Sequence, residues 1–241
     1  MANPCRLTLG PLAAANATAV AASQTPGAAG FLVLTGGANL VAGPTLIQGV
    51  NYTNYAQFDV ARRVSIASTG ADSAVIFTVK GFNRDLQPIS ENITGVNAAA
   101  VSSVNDFLIV TSVFASAGTV GAITVGTNTT ASTAWVLANL YASSWALSAA
   151  AAPVSGGTTS FQIEHTYDDV NAAISLPLEG FVVEQNSAVP PVTFIPTGGT
   201  STTGTVLEVQ YADKPIMAVR LTMTAGTGMA ALWVVQGGIK S

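Results

Sequence analysis

From residue 61 onward the chain is a succession of short β-forming runs cut at regular intervals by turn residues. "RRVSIAS", "AVIFTVKGF", "ISENITGV", "DFLIVTSVFA" and "GAITVGT" are separated by "TGAD", "NRDLQP", "NAAAVSSVN" and "SAGTV". The runs are rich in Val, Ile, Thr and Phe, which suit a pleated, half-buried surface, and the separators carry the Gly, Asn, Asp and Pro of tight turns. Turn signals every 8 to 12 residues or so are the pattern of an all-β sandwich or barrel. A second series, "SFQIEHTY", "FVVEQ", "VTFIP", "TVLEVQYA", "MAVRLTMTA" and "MAALWVVQGG", continues the rhythm after an Ala-rich interruption. The expected fold is therefore all-β, with one or two β-sandwich or jelly-roll units.

The interruptions suggest boundaries. Residues 1–30, Ala-rich and ending in "SQTPGAAG", read as an N-terminal arm, extended or partly helical. Residues 31–137 form a first β-sandwich unit, 138–157 a linker, and 158–241 a second β-sandwich unit. An internal echo favours two related units: "ARRVSIASTGADSAVIFTVKG" (61–81) aligns without gaps with "AVRLTMTAGTGMAALWVVQGG" (218–238). Two unrelated hairpins of similar composition would look the same.

Charge narrows the functions. Only 8% of residues are charged, the net charge is −4, and 49% are hydrophobic. That composition folds rather than staying disordered. The eight basic residues are scattered, with one adjacent pair at Arg62-Arg63, so no phosphate-binding stripe is expected and no nucleic-acid partner. Cys5 is the only cysteine, which excludes an intramolecular disulfide, and it reads as a bystander. The first 24 residues carry one Arg and an apolar stretch broken by Gly10, Pro11 and Asn16, a poor export signal. No run reaches the ~18 apolar residues that a membrane-spanning helix needs, so no membrane partner is expected. A surface poor in charge and rich in Thr and Ser desolvates at low cost, which favours a protein that lives packed against other proteins.

The chemistry-bearing candidates are few. "SFQIEHTYDDVN" (160–171) holds the single histidine among three carboxylates. Strand alternation puts Phe161, Ile163, His165 and Tyr167 on one face and Gln162, Glu164 and Thr166 on the other, so Glu164 and His165 point apart. His165 then belongs to a core face, and Asp168-Asp169 to the turn that ends the strand. Zinc would require further His or Cys ligands that the chain lacks. A calcium site using Asp168, Asp169 and carbonyl oxygens is the alternative that the donor set allows. Ser-His-acid catalysis would have to use His165, and no Gly-x-Ser-x-Gly elbow occurs. "AGTG" (225–228) and "TGGT" (197–200) lack the Lys-Ser/Thr of a phosphate loop and read as hairpin turns. Tyr52, Tyr55 and Phe58 form either a ligand-contacting aromatic patch or packing under a loop. Trp135, Trp145 and Trp233 read as core or interface anchors. Arg63 and Arg220 are expected to lay their stems along a sheet edge with heads in water or against a neighbouring subunit. No catalytic, metal or cofactor-binding residue is assigned, and the expectation is no enzyme and no cofactor.

One resemblance covers most of the chain. Residues 61–95 show Arg-Arg-Val-x-Ile, a Gly turn, Phe-Thr-Val-x-Gly and Pro-Ile-Ser-Glu-x-Ile, and 107–127 continue with "FLIVTSVFASAGTVGAITVGT". Later come "IEHTYDDVN" and the Ala-x-Arg-Leu, Gly-Thr-Gly, Gln-Gly series of 218–238, and the start "LTLGPLAAANATAVAASQTPGAAG" fits the same pattern. Together these resemble structural proteins of tailed bacteriophages. The resemblance implies a virion component assembled in the bacterial cytoplasm; with the charge-poor, Thr- and Ser-rich surface, the leading expectation is a capsid decoration (cement) protein. Its partners would be the major capsid protein or other virion proteins, and it would form a homo-oligomer, a dimer or trimer. A tail or head–tail junction component, as adaptor, ring or host-binding module, is the alternative.

Overall fold

The computed structural model describes residues 4–36, 40–47, 49–84, 86–141, 146–155, 159–167, 195–201, 207–212, 215–226 and 228–237. Among them every regular element is a strand, and no helix occurs. The described residues divide into two compact units, one of residues 14–128 and one of residues 4–13 together with 129–237.

In the 14–128 unit the long strands β5 (Val50–Ser68) and β8 (Ala100–Ala115) pair antiparallel, with β6 (Ile76–Phe82) and then β7 (Pro88–Thr94) beyond β8. On the far side of β5 lies β9 (Ile123–Ser132), whose last residues enter the other unit. Three shorter strands, β2 (Ala21–Gln24), β3 (Gly30–Phe31) and β4 (Leu40–Ile47), pair with β9, β8 and β5. The β5–β8 register slips between the pairs Gln57↔Ile109 and Arg62↔Phe107. Five steps on one strand thus face two on the other, which bends the ladder sharply. The two faces of β5 bury different clusters, with Ala56 in the larger one and its neighbour Tyr55 in the smaller. Ile47, Tyr55, Phe82 and Ile109 cluster on one side, while Phe58, Val64, Phe77, Phe107 and Val113 join the larger cluster.

In the other unit, β1 (Cys5–Leu9), β16 (Met229–Gly237), β11 (Ala146–Ser155) and β14 (Leu207–Ala212) form a four-stranded antiparallel sheet in that order. Facing it, β12 (Thr159–Thr166) pairs with β13 (Ile195–Ser201) on one side and β15 (Ala218–Gly226) on the other, and β10 (Val136–Leu137) also borders β15. Leu147, Ala149, Ala151, Leu232 and Val234 of the first sheet and Phe161, Ile163, Leu221 and Met223 of the second are buried. This unit is sandwich-like.

Several expectations are corrected. Residues 1–30 are not a separate arm. Cys5–Leu9 pairs with β16, and Val20 and Ala21 are fully buried in the larger cluster of the 14–128 unit. The segment read as a linker, 138–157, holds β11, a central strand flanked by β16 and β14. Its alternate alanines face the core, and small side chains let the two sheets approach. The division of the chain between the compact units falls after residue 128 rather than within 138–157. The hairpins of the internal echo are not hairpins either. β8 lies between β5 and β6, and β15 and β16 sit in different sheets, joined at Gly226, whose φ of 96° suits glycine.

Gly81 illustrates how closely the strands pack. It sits at a register slip between β6 and β8, and a Cβ there would fall on the Ile109 carbonyl oxygen. Backbone atoms cannot yield as a flexible side chain can. Gly81→Ala should therefore cost about 1–3 kcal/mol of unfolding free energy in chemical denaturation.

Candidate functional site

The chain's chemistry-bearing side chains gather on β12 and its neighbours. Phe161, Ile163 and His165 share the face toward the four-stranded sheet, as alternation predicts. His165 is 7% exposed, and its Nδ1 lies 3.3 Å from the Tyr211 hydroxyl of β14, so a polar contact ties the two sheets together. The rings of Tyr167 and Tyr211 meet the imidazole edge-on at 5.5 and 5.2 Å. Burial pushes the imidazole pKa below its ordinary value. Tyr167 itself is exposed.

The opposite face of β12 is buried as well, and it is polar. Glu164 is fully buried and takes a 2.8 Å hydrogen bond from Arg220 Nε of the adjacent β15. Gln162 donates to the other carboxylate oxygen at 2.7 Å, and the Arg220 guanidinium carbon lies 4.6 Å from the centre of the Trp135 ring. Ser132 and Thr222 share a hydrogen bond of 2.9 Å between β9 and β15. A buried charge is tolerable only when paired and hydrogen-bonded, and this cluster meets both conditions. Arg220 therefore does not lay its stem along a sheet edge with its head in water or against a neighbouring subunit, as expected from the sequence; its head is held inside the fold. Trp135 anchors it as a cation–π partner. Arg63 is different: it stays partly exposed and lies 3.9 Å from Asp106 across the strand pair. Arg62, which sequence reasoning passed over, is the buried member of its pair at 2% exposure and lies 3.2 Å from Asp59.

A third polar centre had no signal beyond an Asp in a Gly turn. Asp72 is buried between the turn after β5 and the loop before β9. Its carboxylate accepts hydrogen bonds from the Ser68 hydroxyl and from the amides of Val120 (2.6 Å) and Gly121 (3.1 Å). Burial alone pushes the carboxyl pKa up, but these three donors outweigh it and hold the group below its ordinary value.

The aromatic triplet does not form a patch. Tyr55 and Phe58 are buried in two different clusters on opposite faces of β5, and Tyr52 packs edge-on against Phe82 at 5.8 Å. Burial raises the Tyr52 pKa. Asp168, Asp169 and Trp145 lie outside the described residues. Among the described residues no three His, Cys, Asp or Glu side chains gather where a metal ion could be held. The contacts around Glu164, His165 and Asp72 are those of internal fastening: each group is met by protein donors or rings, and each joins two strands or two sheets. No protein-family model, no curated protein and no solved structure matches the chain.

Two predictions test this fastening. Asp72 and His165 both have folded pKa values below their unfolded ones, so the unfolded chain binds more protons in each window and stability falls with falling pH. The His165 contribution is complete above about pH 6.5 and declines below it; that of Asp72 declines below about pH 4. Urea unfolding followed across pH should show both declines, and His165→Gln should remove the upper one alone. Asp72→Ala should lower stability by about 3 kcal/mol at neutral pH. For the ion pair, Glu164→Gln should cost about 3–5 kcal/mol by leaving a buried guanidinium without its carboxylate. The double replacement Glu164→Leu with Arg220→Met should cost less than Glu164→Gln alone in the same unfolding assay.

Proposed function

We propose that this chain is a non-enzymatic structural protein of a tailed-bacteriophage virion, foremost a capsid decoration protein that reinforces the head shell through multivalent protein–protein contacts. The observation that carries this reading is where the chain puts its charges. Asp59 with Arg62, Arg63 with Asp106, Asp72 with its amides and Glu164 with Arg220 all find partners inside the fold. Glu91 likewise takes the amides of Val104 and Asn105 at 2.7 and 2.9 Å. A chain with few charges thus spends many of them internally, and its surface carries apolar side chains such as Phe31, Val33, Leu46 and Val120. Surfaces of this kind lose little when dehydrated. On a repeating lattice many weak contacts then add up to firm attachment without one strong site.

The sequence resemblance supports the same reading, as does the internal, structural use of His165 and Glu164. Assembly would take place in the cytoplasm of the bacterial host, with the major capsid protein or another virion protein as partner. Because β1 and β2 belong to the folded units, attachment would use sheet faces and loops rather than a free N-terminal arm.

Immunogold labelling of purified virions with an antibody to this chain should give dense label over the head. Label confined to the tail or its junction would replace the decoration reading with the adaptor or ring alternative. Absence of label, together with absence of the chain from virions by mass spectrometry, would refute the virion reading.

A further inference from the structure

The outer face of the four-stranded sheet holds a row whose chemistry is complementary to itself. The register aligns Arg6 of β1 with Trp233 of β16, Trp233 with Ala150 of β11, and Ala150 with Glu208 of β14. Leu232 and Val234 beside Trp233, and Ala149 and Ala151 beside Ala150, are buried, as are Leu9 and Tyr211, each three residues along the strand from Arg6 and Glu208; by alternation these four therefore point outward. Arg6 and Glu208 are exposed, and Trp233 and Ala150 are half-buried. The Arg6 guanidinium carbon lies 5.4 Å from the centre of the Trp233 ring, which holds the cation flat along the face. Strands about 4.8 Å apart separate the two charges by about 14 Å. The row thus reads cation, large aromatic, small apolar, anion. Flanking positions are neutral, with Ser148 and Val235 exposed beside it.

We propose that this face is the interface of a twofold dimer, its occupant a second copy of the same chain stacked sheet on sheet. The order of the row selects the axis. A twofold axis lying between the sheets and parallel to the strands reverses the row across the partner. Arg6 of each copy then meets Glu208 of the other, and Trp233 of each lies over the other's Ala150. Both charge pairs are satisfied at once, and each large ring falls where the facing side chain is smallest. An axis across the strands would instead stack Arg6 on Arg6 and Trp233 on Trp233, with like charges opposed. Either axis keeps the strands of the two sheets aligned, as twisted sheets pack, so the charge order alone selects between them. Four strands present a face of roughly 500 Å² per copy, or about 1,000 Å² in total, the low end for a specific interface. The dimer should therefore form with micromolar affinity and depend on concentration. This inference does not rest on the virion reading, since it follows from the register and charge of one sheet face.

Sedimentation velocity on the full chain across the micromolar range tests it. The wild type should shift from monomer to dimer as concentration rises. Arg6→Glu and Glu208→Arg should each weaken dimerisation by about a hundredfold or more, because each opposes like charges at both pairs. Mixing the two single variants in equal amounts should restore a dimer, since the reversed position 6 of one then meets the reversed position 208 of the other. The double variant R6E/E208R should dimerise by itself. Rescue on mixing also excludes misfolding as the cause of the single-variant loss. A wild type that stays monomeric throughout would overturn the proposal. So would single variants that dimerise like the wild type, or a mixture that remains monomeric.

Discussion

A β-sheet that bends or ends leaves backbone amides without ladder partners, and such groups cannot be buried unmet. In this protein carboxylates and hydroxyls meet them. Asp72 takes the amides of Val120 and Gly121, Glu91 those of Val104 and Asn105, and Ser103 Oγ accepts from Val64 near the β5–β8 slip. Each contact bridges segments distant in sequence, so each fixes the place of a turn relative to a strand. The long strands β5 and β8 can bend around a core because these acceptors stand where the ladder is interrupted. The same requirement governs the polar side of β12, where Glu164 and Arg220 neutralise each other out of reach of water. The scarcity of charge in the composition and the satisfaction of the interior are thus linked: what is used inside is missing outside.

Much of the strand content was legible, because alternation and turn residues are local signals. β6, β7, β9, β12, β14, β15 and β16 fall on runs that read as strands. Strand order was not legible. β8 separates β5 from β6, and β15 and β16 belong to different sheets, yet in sequence both connections look like hairpins. Pairing is a long-range choice that the residues of a turn do not encode. The Ala-rich stretch misled for a related reason. Its period-2 alternation is hidden when both faces carry alanine, as at Ala149, Ala150 and Ala151.

The same limits apply to the polar residues. Alternation correctly separated His165 from Glu164, and it placed His165 on the core face. The assumption that the other face meets water failed for Glu164, because β12 is covered on both sides. Tyr55 and Phe58 stand three residues apart, so simple alternation sends them to opposite faces of β5, and the spacing that looked like a patch in "NYTNYAQFD" belongs to a helix rather than a strand. Asp72 was invisible for another reason: its donors lie nearly fifty residues away, in a loop that the fold alone brings near.

The alanines of β11 show how one composition serves two surfaces. On the inner face Ala149 and Ala151 let the opposing sheet approach, so that Tyr211 of the neighbouring strand can reach His165 across the interior. On the outer face Ala150 leaves a shallow position beside Trp233, the one large ring in its row. A larger residue inside would force the sheets apart, and interiors at crystal-like density tolerate that poorly. A larger residue outside would leave this unit's fold intact and fill the shallow position instead. The strand that looks least informative in sequence is therefore constrained on one face by the packing of its own core. On the other it is free to be shaped by whatever lies against it, and the opposite charges at the two ends of that row make a second copy the matching surface.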